Sequence, residues 1–461
     1  MISAQELIDR VLAQATSDDC FVIVRDSTQA NLRWANSTLT TNGSIAQREV
    51  TVLVFVQLAD GMAAGAATRT DLRVEDIPGV LREAEAAARA AGVADDAAPL
   101  LRNTAVGDWS AAQALTGPAA FGGITEPLGD MFRRATSDGI ELFGYAEHTM
   151  TSTWLGSLGG VRVRLDQPVG RIEMTGKSHE RSRSTWEGRA TRDFLDIDIA
   201  EIDADVRRKL GWQANRIDLP AGRYDTVAPS GVVADLLTYA LWLADARSAM
   251  EGRSAYADKT THKPRFGETL AALPLDLRSD PGDRRAPGSD IIVTSASSPL
   301  SSVFDNGQPR TPHSLIKDGV LTSLFHTRAT AEKFGQPFTP FADNVIVESP
   351  VGKGDVFDLV KDVADGLLLN TMWYIRMVDP ATMLLTGLTR DGVYRVQGGE
   401  VVGAVNNFRW NESPIGLLGR VRAIGASVLT QPREWAGDAD RMVVPPMRFA
   451  DFNMSTVSPG N

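Results

Sequence analysis

The amino-acid sequence predicts an α+β protein. An N-terminal α/β meander domain is followed by a C-terminal β-rich domain, antiparallel and barrel-like, that contains a long buried helix. Three observations predict this class. Residues 1–100 have the pattern of a helix, a strand meander and a second helix. A second series of strand patterns follows, and beyond Arg265 many short β-rich runs are separated by Gly, Pro and Asp. Strands grouped in this way favour antiparallel sheets over alternating parallel units.

The length of the chain predicts more than one domain. Its 461 residues are too many for a single ordinary hydrophobic core, and 43% hydrophobic and 23% charged residues are typical of a globular protein. We expect an N-terminal α+β domain over residues 1–216 and a C-terminal β-rich domain over residues 223–461, joined by a connector around Pro220. An alternative division splits the first domain into two lobes, 1–100 and 120–216.

The first region contains an opening helix, a strand meander and a closing helix. Gln5–Thr16 places apolar side chains at helical spacing, and Val80–Ala91 is an Ala-rich helix closed by Gly92. The Asn42-Gly43 pair predicts a hairpin turn within the meander. The predicted strands are Phe21–Val24, Ala30–Thr40, Val50–Val56 and Gly61–Thr70.

The next region repeats the scheme of helices around antiparallel strands. Thr125–Ser137 and Ala200–Leu210 are predicted helices. Gly159-Gly160 and Gln167-Pro168 are predicted breaks between strands. The predicted strands are Glu141–Glu147, Thr151–Leu158, Val161–Leu165, Gly170–Thr175 and Ser182–Gly188.

The C-terminal region begins with a strand, Tyr224–Val227, and a long helix from Ser230 to Met250 with Ser230 as its N-cap. Apolar residues lie on nearly all sides of this helix, which predicts that it is buried. The short strands predicted after it are Ile291–Thr294, Ser314–Ile316, Val345–Glu348, Gly366–Asn370, Gly392–Val396 and Glu400–Val405.

Charge and composition limit the classes of partner. A net charge of −11 argues against non-specific binding to nucleic acid, which needs clustered Lys and Arg. No apolar run approaches the ~18 residues that span a bilayer, so no membrane association is expected. The single cysteine, Cys20, fits a reducing compartment, and residues 1–13 lack the pattern of a signal peptide. We therefore expect a cytoplasmic protein.

The sequence contains no recognisable catalytic motif of its own. The five histidines are too far apart to give the two ligands on one helical face that a helical zinc protease needs, and a site assembled from distant histidines is the minor alternative. The acids before Cys20 should raise the pKa of its thiol, which favours a structural role. No nucleophile elbow or phosphate-binding loop is present. Trp373, Arg376 and Arg409 are the candidates for a peptide-binding surface, with ordinary packing as the alternative.

Several segments together resemble the TldD/PmbA (TldE) metallopeptidase family. The hairpin Leu315–Leu321 follows the Asp305-Asn306-Gly307 turn, and Met250–Ala257 follows the long helix. Gly366-Leu367-Leu368 and Val378–Thr382 are similar to the late sheet of that family. The N-terminal meander with Trp34 and Asn36 also fits, so the resemblance spans most of the chain.

The resemblance implies a pair of homologous subunits. The TldD-like subunit carries HExxxH on its long helix, and a late cysteine completes its zinc site; the PmbA/TldE type lacks these ligands. In this chain Thr238 and Leu243 stand near the two histidine positions, and Tyr239 stands near the general-base position. No cysteine follows Cys20. The resemblance therefore implies no catalytic residue and no metal ligand in this chain, with zinc supplied by the partner.

Three functional hypotheses follow. The first is a non-catalytic subunit of a TldD/TldE-type zinc peptidase, which completes a chamber for unfolded or linear peptides. The second is a stand-alone homodimeric peptide-binding protein. The third is an independent, metal-free hydrolase, for which Asp305, Asp379 and Arg376 are the first candidates.

Overall fold

A computed structural model describes residues 2–458 of the chain and confirms the predicted α+β class. Helices lie on one side of a large N-terminal sheet, and two further sheets form the C-terminal half. Within residues 2–458, no helix is long and apolar enough to cross a membrane. The α-helices are α1 Ala4–Leu12, α2 Ile77–Ala91, α3 Gly122–Ser137, α4 Ile199–Trp212, α5 Ser230–Trp242, α6 Ala246–Met250, α7 Arg328–Phe334, α8 Val356–Lys361 and α9 Pro414–Leu418.

The N-terminal sheet has seven strands in the order β3-β2-β1-β5-β6-β4, with β7 also paired to β6. All its pairings are antiparallel except that of the short edge strand β4. Its strands are β1 Asp19–Ala35, β2 Thr38–Leu58, β3 Gly61–Thr70, β4 Ala105–Val106, β5 Ile140–Ser157, β6 Arg162–Ser178 and β7 Arg183–Thr191.

The first hairpin turns earlier than the sequence predicted. The turn is at Asn36 and Ser37, whose φ values are 50° and 55°, and the prediction of a turn at Asn42-Gly43 was wrong. Gly43 instead lies within β2, opposite Asn31 of β1. A short polar residue such as Asn tolerates the left-handed conformation, so two sites in this segment were locally competent to turn. The turn forms at Asn36 and Ser37, because the pairing of β1 with β2 holds Asn42 and Gly43 inside the ladder.

The predicted break at Gln167-Pro168 was also wrong. The predicted segments between residues 141 and 188 merge into three long strands, and Pro168 lies inside β6, opposite Met150. Strand β7 reaches along β6 only as far as Gly170. Pro168 therefore lies where β6 has a free edge, and a proline is tolerated there.

The two faces of the N-terminal sheet pack against different parts of the molecule. Alternation along β1 places Val22 in the core under α1 and α2, and places Phe21 on the opposite face. On that opposite face, Phe55 contacts Phe304 of the C-terminal half, with ring centroids 5.1 Å apart. Gly65 lets α2 approach closely, because a Cβ there would lie 2.2 Å from the carbonyl oxygen of Ala84. Helices therefore cover one face of the sheet, and the C-terminal half covers the other.

The C-terminal half contains two sheets. One has six strands in the order β12-β11-β10-β13-β20-β19; the other has nine, with the main path β18-β21-β9-β14-β15-β16-β8, β17 on β15 and β22 on β17. The strands are β8 Arg216–Ile217, β9 Gly222–Ala228, β10 Asp276–Ser279, β11 His313–Lys317, β12 Val320–Leu321, β13 Val345–Glu348, β14 Asp365–Asp379, β15 Leu384–Gln397, β16 Glu400–Val405, β17 Asn407–Glu412, β18 Val421–Ile424, β19 Val428–Thr430, β20 Met442–Val444, β21 Met447–Met454 and β22 Thr456–Ser458. The predicted strand at Ile291–Thr294 is instead a single bridge from Ile291 to Pro309.

The predicted long helix is buried but interrupted. Helix α5 ends at Trp242, and α6 begins at Ala246, where the Asp245 carboxylate accepts the backbone N–H of Ser248 over 2.9 Å. A capping side chain at this point lets the chain change direction between two helices. Ser230 is the first helical residue; the N-cap is Pro229 and provides no side-chain hydrogen bond.

Candidate functional site

Thr238 of α5 stands near the first of the two histidine positions, and its hydroxyl group is already hydrogen-bonded inside the helix. Thr238 is 2% exposed, and its Oγ1 donates to the carbonyl oxygen of Ala234 over 2.9 Å. Its other neighbour is the sulfur of Met442, at 3.7 Å. A threonine that bonds back to the preceding turn has no free donor to turn outward.

Aromatic side chains occupy the space around Tyr239, which stands near the general-base position. Tyr239 donates its hydroxyl to the carbonyl oxygen of Ile375 over 3.1 Å. Its ring meets Trp242 and Trp435 edge-on, at centroid distances of 5.4 and 5.3 Å, and the two tryptophans are 4.9 Å apart. We call these three residues the aromatic cluster. Leu243, which stands near the second histidine position, follows the last residue of α5 and packs on the apolar core.

These residues do not fit a zinc ion. Zinc takes thiolate, imidazole or carboxylate donors, and the only such side chain on α5 is Asp235. Asp235 is 1% exposed, and its oxygens accept the backbone N–H groups of Arg433 at 3.3 Å and Glu434 at 2.9 Å. Burial raises the pKa of this carboxyl well above its ordinary range. No group of three or more His, Cys, Asp or Glu side chains that could hold a metal occurs within residues 2–458.

Asp235 fixes the segment that closes this side of the molecule, residues 431–441 between β19 and β20, here called the 431–441 loop. The Glu434 carboxylate continues the connection: it accepts the backbone N–H groups of Tyr374 at 3.1 Å and Ile375 at 3.2 Å. Tyr374 has a φ of 53° at an irregularity in β14. The Asp235 carboxylate thus joins helix α5 to the 431–441 loop, and the Glu434 carboxylate joins the loop to β14.

The three predicted peptide-binding residues lie on adjacent strands. Trp373 of β14 is opposite Leu388 of β15, which is opposite Arg409 of β17. Residues opposite each other in an antiparallel ladder point to the same face, so Trp373 and Arg409 share a face of the sheet. Arg376 is opposite Thr386 on the same ladder. The structure brings the three candidates together; their binding role stays a prediction.

Trp373 also takes part in a contact between the two halves of the molecule. The Arg433 guanidinium lies over the ring of Trp373 at 5.3 Å and over that of Trp186, on β7, at 5.0 Å. Its Nη1 donates to Thr371 over 2.6 Å and forms an ion pair with Asp391 at 2.5 Å. An arginine between two aromatic faces and a carboxylate stabilises this junction.

A cleft between the N-terminal sheet and the 431–441 loop was not predicted from the sequence. Its volume is about 350 Å³, within the range of small-ligand sites. A sequence signal existed, because Thr149, Thr151 and Thr153 alternate along one strand and must share a face. The lining residues are Arg25, Glu147, Thr149, Thr151, Thr153, Gln167, Val169, Arg171, Gly437, Asp440 and Arg441.

The charges in the cleft wall are mostly paired. Arg25 contacts Glu49 at 3.0 Å, and Arg171 contacts Glu147 at 3.1 Å. Arg441 contacts Asp343 at 3.2 Å. Threonine hydroxyls lie between these pairs on β5. Such a wall offers many hydrogen-bonding groups with little net charge, which suits a peptide backbone better than a strongly charged ligand.

The remaining reactive side chains are engaged separately. Cys20 is fully buried, and burial, with a smaller effect of Asp19, raises the pKa of its thiol to about 12, in the predicted direction. Asp305 forms an ion pair with Arg328 at 2.8 Å, and burial raises its pKa. Asp379 accepts from the Thr382 hydroxyl over 2.6 Å, which lowers its pKa.

The histidines are also dispersed. His148 contacts Thr116 at 2.6 Å and the carbonyl oxygen of Arg192 at 2.8 Å. His326 lies in the C-terminal half, where burial lowers its pKa to about 4. Arg376, the third hydrolase candidate, forms an ion pair with Glu434 at 3.1 Å.

Comparison with known proteins identifies the architecture. Residues 221–456 match the family described as the PmbA/TldA metallopeptidase C-terminal domain. The structure is similar to that of TldE from Thermococcus kodakarensis, with a TM-score of 0.73 and 14% identity over 97% of this chain and 99% of that one. A proposed modulator of DNA gyrase from Thermotoga maritima gives 0.75 and 15% over 97% and 99%. A second, from Bacteroides thetaiotaomicron, gives 0.73 and 13% over 98% of each chain. No curated protein matches the sequence.

Proposed function

Because the chain belongs to the TldD/PmbA metallopeptidase family, we propose that it is the non-catalytic subunit of a two-subunit zinc peptidase. A homologous, TldD-like partner would supply the zinc ion and the general base. This chain would complete the chamber that holds an unfolded or linear peptide. The cytoplasm is the proposed location, in keeping with the single cysteine, Cys20.

The proposal rests on one observation. The side chains that stand near the two histidine positions and the general-base position are all engaged in hydrogen bonds or packing within this chain. The Thr238 hydroxyl bonds back to Ala234, Tyr239 bonds to the backbone of Ile375, and Leu243 packs on the core. A lost zinc site that was merely distorted would keep free donors pointing into a cavity. Here an aromatic cluster fills the space, so the helix serves packing and supports the 431–441 loop.

The cleft is the proposed place for the peptide in this subunit. An extended chain needs hydrogen-bonding partners along its length, and binding through the peptide backbone suits loose sequence specificity. The threonines of β5 provide hydroxyls at every second residue, and the 431–441 loop forms the opposite wall. Trp373, Arg376 and Arg409 lie on a sheet of the same C-terminal half and are proposed as a second contact surface for the peptide.

The test is reconstitution with a homologue that carries HExxxH. We expect a stoichiometric complex that contains zinc and hydrolyses a fluorogenic unfolded peptide, with neither activity nor zinc in this chain alone. Thr149→Tyr, which fills the cleft, should lower hydrolysis at least tenfold without preventing assembly. Thr70→Tyr is the matched control, since Thr70 lies on the exposed end of β3. Zinc retained by the isolated, washed chain would overturn the assignment of this chain as non-catalytic.

The cleft also supports a second candidate, a stand-alone homodimeric peptide-binding protein. The cleft is formed within a single copy of the chain, so an isolated copy presents its threonine hydroxyls to a peptide. Anisotropy of a labelled peptide with the isolated, chelator-treated chain separates the candidates. Binding without hydrolysis, and no association with the homologue, would favour the second candidate. Hydrolysis by the treated chain alone would favour the metal-free hydrolase.

A further inference from the structure

A second cavity adjoins the cleft, and we call it the side pocket. The two cavities share Gln167 and Val169 of β6, and Asp440 and Arg441 of the 431–441 loop. The side pocket has a volume of about 90 Å³, far below the ~300 Å³ at which sites for whole ligands begin. An apolar cavity of ~150 Å³ holds a benzene molecule, so the side pocket has room for a single aliphatic side chain.

The side pocket exists because β6 lacks a neighbouring strand along part of one edge. Strand β7 ends opposite Gly170, and β4 pairs only with residues 162 and 163 of β6. Within residues 2–458, the segment of β6 between these points pairs with β5 alone. Pro168 lies at this edge and has no N–H group to leave unpaired there. The C-terminal half faces the gap with Ala286, Pro287 and Leu429, which line the pocket.

Apolar atoms provide most of the surface inside the side pocket. Ala286 is buried in a small cluster with Ile346 and Val443. Leu429 packs against this cluster and stays partly exposed on the side of the pocket. One further aliphatic side chain would therefore extend the cluster and remove the exposed part of Leu429 from water. The apolar lining residues are Pro168, Val169, Ala286, Pro287 and Leu429.

The charged groups of the side pocket do not favour a charged ligand. Three of the five are paired: Asp166 forms an ion pair with Arg164 at 2.7 Å, and Arg285 and Arg441 also contact carboxylates. The other two, Asp440 and Arg192, have opposite signs. A charged peptide side chain would lose water in a mainly apolar pocket and meet both signs of charge there, so an uncharged side chain fits better.

The carboxylate of Asp343 fixes the walls of the side pocket relative to one another. It accepts from the side chain of Gln167 at 3.3 Å and from the backbone N–H of Ser289 at 2.6 Å, and it forms an ion pair with Arg441 at 3.2 Å. Strand β6, the segment that leads to Ser289 and the 431–441 loop are therefore joined at one point. A pocket whose walls are already in place costs less entropy to fill.

We propose that the side pocket binds one aliphatic side chain, of valine, leucine, isoleucine or methionine, from a peptide whose backbone lies in the cleft. Side chains of an extended peptide alternate in direction, so one of them can enter the side pocket while the backbone stays in the cleft. Val169, which lines both cavities, marks the point of entry. The side pocket rests on the peptide role proposed above for the cleft, and it adds a preference for one class of residue.

Fluorescence anisotropy of the full-length chain with labelled peptides tests the side pocket. The peptides share an uncharged host sequence of Ser and Gln and carry Leu, Ala, Asp or Lys at one central position. We expect the Leu peptide to bind at least about tenfold more tightly than the Ala peptide, because a single methylene in a hydrophobic pocket changes binding by roughly this factor or more. The Asp and Lys peptides should bind no more tightly than the Ala peptide.

Leu429→Trp should fill the side pocket and remove the preference for Leu over Ala, with the Ala peptide bound as tightly as before. Val428→Trp is the matched control and should keep the preference. Val428 precedes Leu429 on β19, lies on the opposite face of the strand and is 51% exposed. Pro287→Trp, at an exposed residue of another wall, is a second filling variant that leaves the buried cluster intact.

Equal binding of the Leu and Ala peptides would overturn the side pocket and leave the peptide role of the cleft standing. So would a preference for Leu that survives in both filling variants, or tighter binding of the Lys or Asp peptide than of the Leu peptide. Failure of every peptide to bind, both to this chain and to its complex with the HExxxH homologue, would overturn the side pocket and the peptide role together.

Discussion

The carboxylate of Asp235 accepts the backbone N–H of Glu434 over 2.9 Å inside the C-terminal core. Through this bond the buried helix α5 holds the 431–441 loop, and the loop holds β14 through the Glu434 side chain. The loop also forms one wall of the cleft. The helix is therefore connected to the cleft through the 431–441 loop.

Loss of the Asp235 carboxylate should destabilise the protein. Asp235→Ala leaves the buried backbone N–H groups of Arg433 and Glu434 without acceptors, and we expect a decrease in the free energy of unfolding of about 2–4 kcal/mol. Urea denaturation of wild type and variant measures it. Asp355→Ala is the control, because Asp355 also accepts two backbone N–H groups but at an exposed helix start, where water replaces it at a cost of ~1 kcal/mol. Equal losses in both variants would contradict the role of burial.

The arginine between the two tryptophans should matter far more than its exposed neighbour. Arg433→Met removes the ion pair to Asp391 and the hydrogen bond to Thr371. It leaves the Asp391 carboxylate, which is only 10% exposed, with the Ser184 hydroxyl at 2.7 Å and the more distant Arg390 guanidinium at 3.8 Å. We expect a loss of about 3 kcal/mol in the free energy of unfolding. Arg376→Met is matched in chemistry, but the Arg376 side chain is 60% exposed, so its loss should stay below about 1 kcal/mol.

The same pair of variants tests how the two halves are held together. Because Arg433 contacts Trp186 of the N-terminal half, its loss should also increase protease cleavage near the junction of the halves. Limited proteolysis followed by mass spectrometry locates the cuts. Cleavage confined to the C-terminal half, or equal cleavage of both variants, would show that this contact does not hold the junction.

Local patterns predicted the bounds of three strands correctly and placed two turns wrongly. Gly61–Thr70, Val345–Glu348 and Glu400–Val405 were predicted with the bounds that the structure shows, because turn-forming residues flank each of them. Asn42-Gly43 has equally good turn chemistry but pairs within a ladder. Turn propensity is local, whereas the register is decided by which side chains the whole strand buries.

The cleft could not be predicted from the sequence, for a related reason. The alternating threonines of β5 indicate a polar face, but the opposite wall, Gly437 to Arg441, comes from a distant part of the chain. Likewise, Trp373 and Arg409 meet only because β15 lies between their strands. The family resemblance located α5, the helix that lacks the zinc ligands. The aromatic cluster could not be predicted, because it includes Trp435, which is far from α5 in the sequence.

The thiol of Cys20 should be unreactive in the folded protein. It is fully buried and its pKa is raised to about 12, so both access and thiolate formation are suppressed. A colorimetric thiol reagent at mildly alkaline pH should detect no thiol in the native chain and one in concentrated guanidinium. Ser110→Cys supplies an exposed thiol as the positive control. Rapid reaction of the native wild type would mean that the start of β1 opens locally.

His326 should make the protein less stable in acid. Burial lowers its pKa from the ordinary 6.5 to about 4, so the folded state holds the imidazole neutral while the unfolded state binds a proton more readily. Its contribution to stability is therefore complete above pH 6.5 and is lost as the pH falls from 6.5 through 4, by up to roughly 3 kcal/mol. His326→Gln should remove this part of the pH dependence, whereas His262→Gln, at an exposed loop residue, should leave it unchanged. Urea denaturation at several pH values measures the difference, and parallel curves for wild type and His326→Gln between pH 4 and 6.5 would show that the imidazole is not held neutral by the fold.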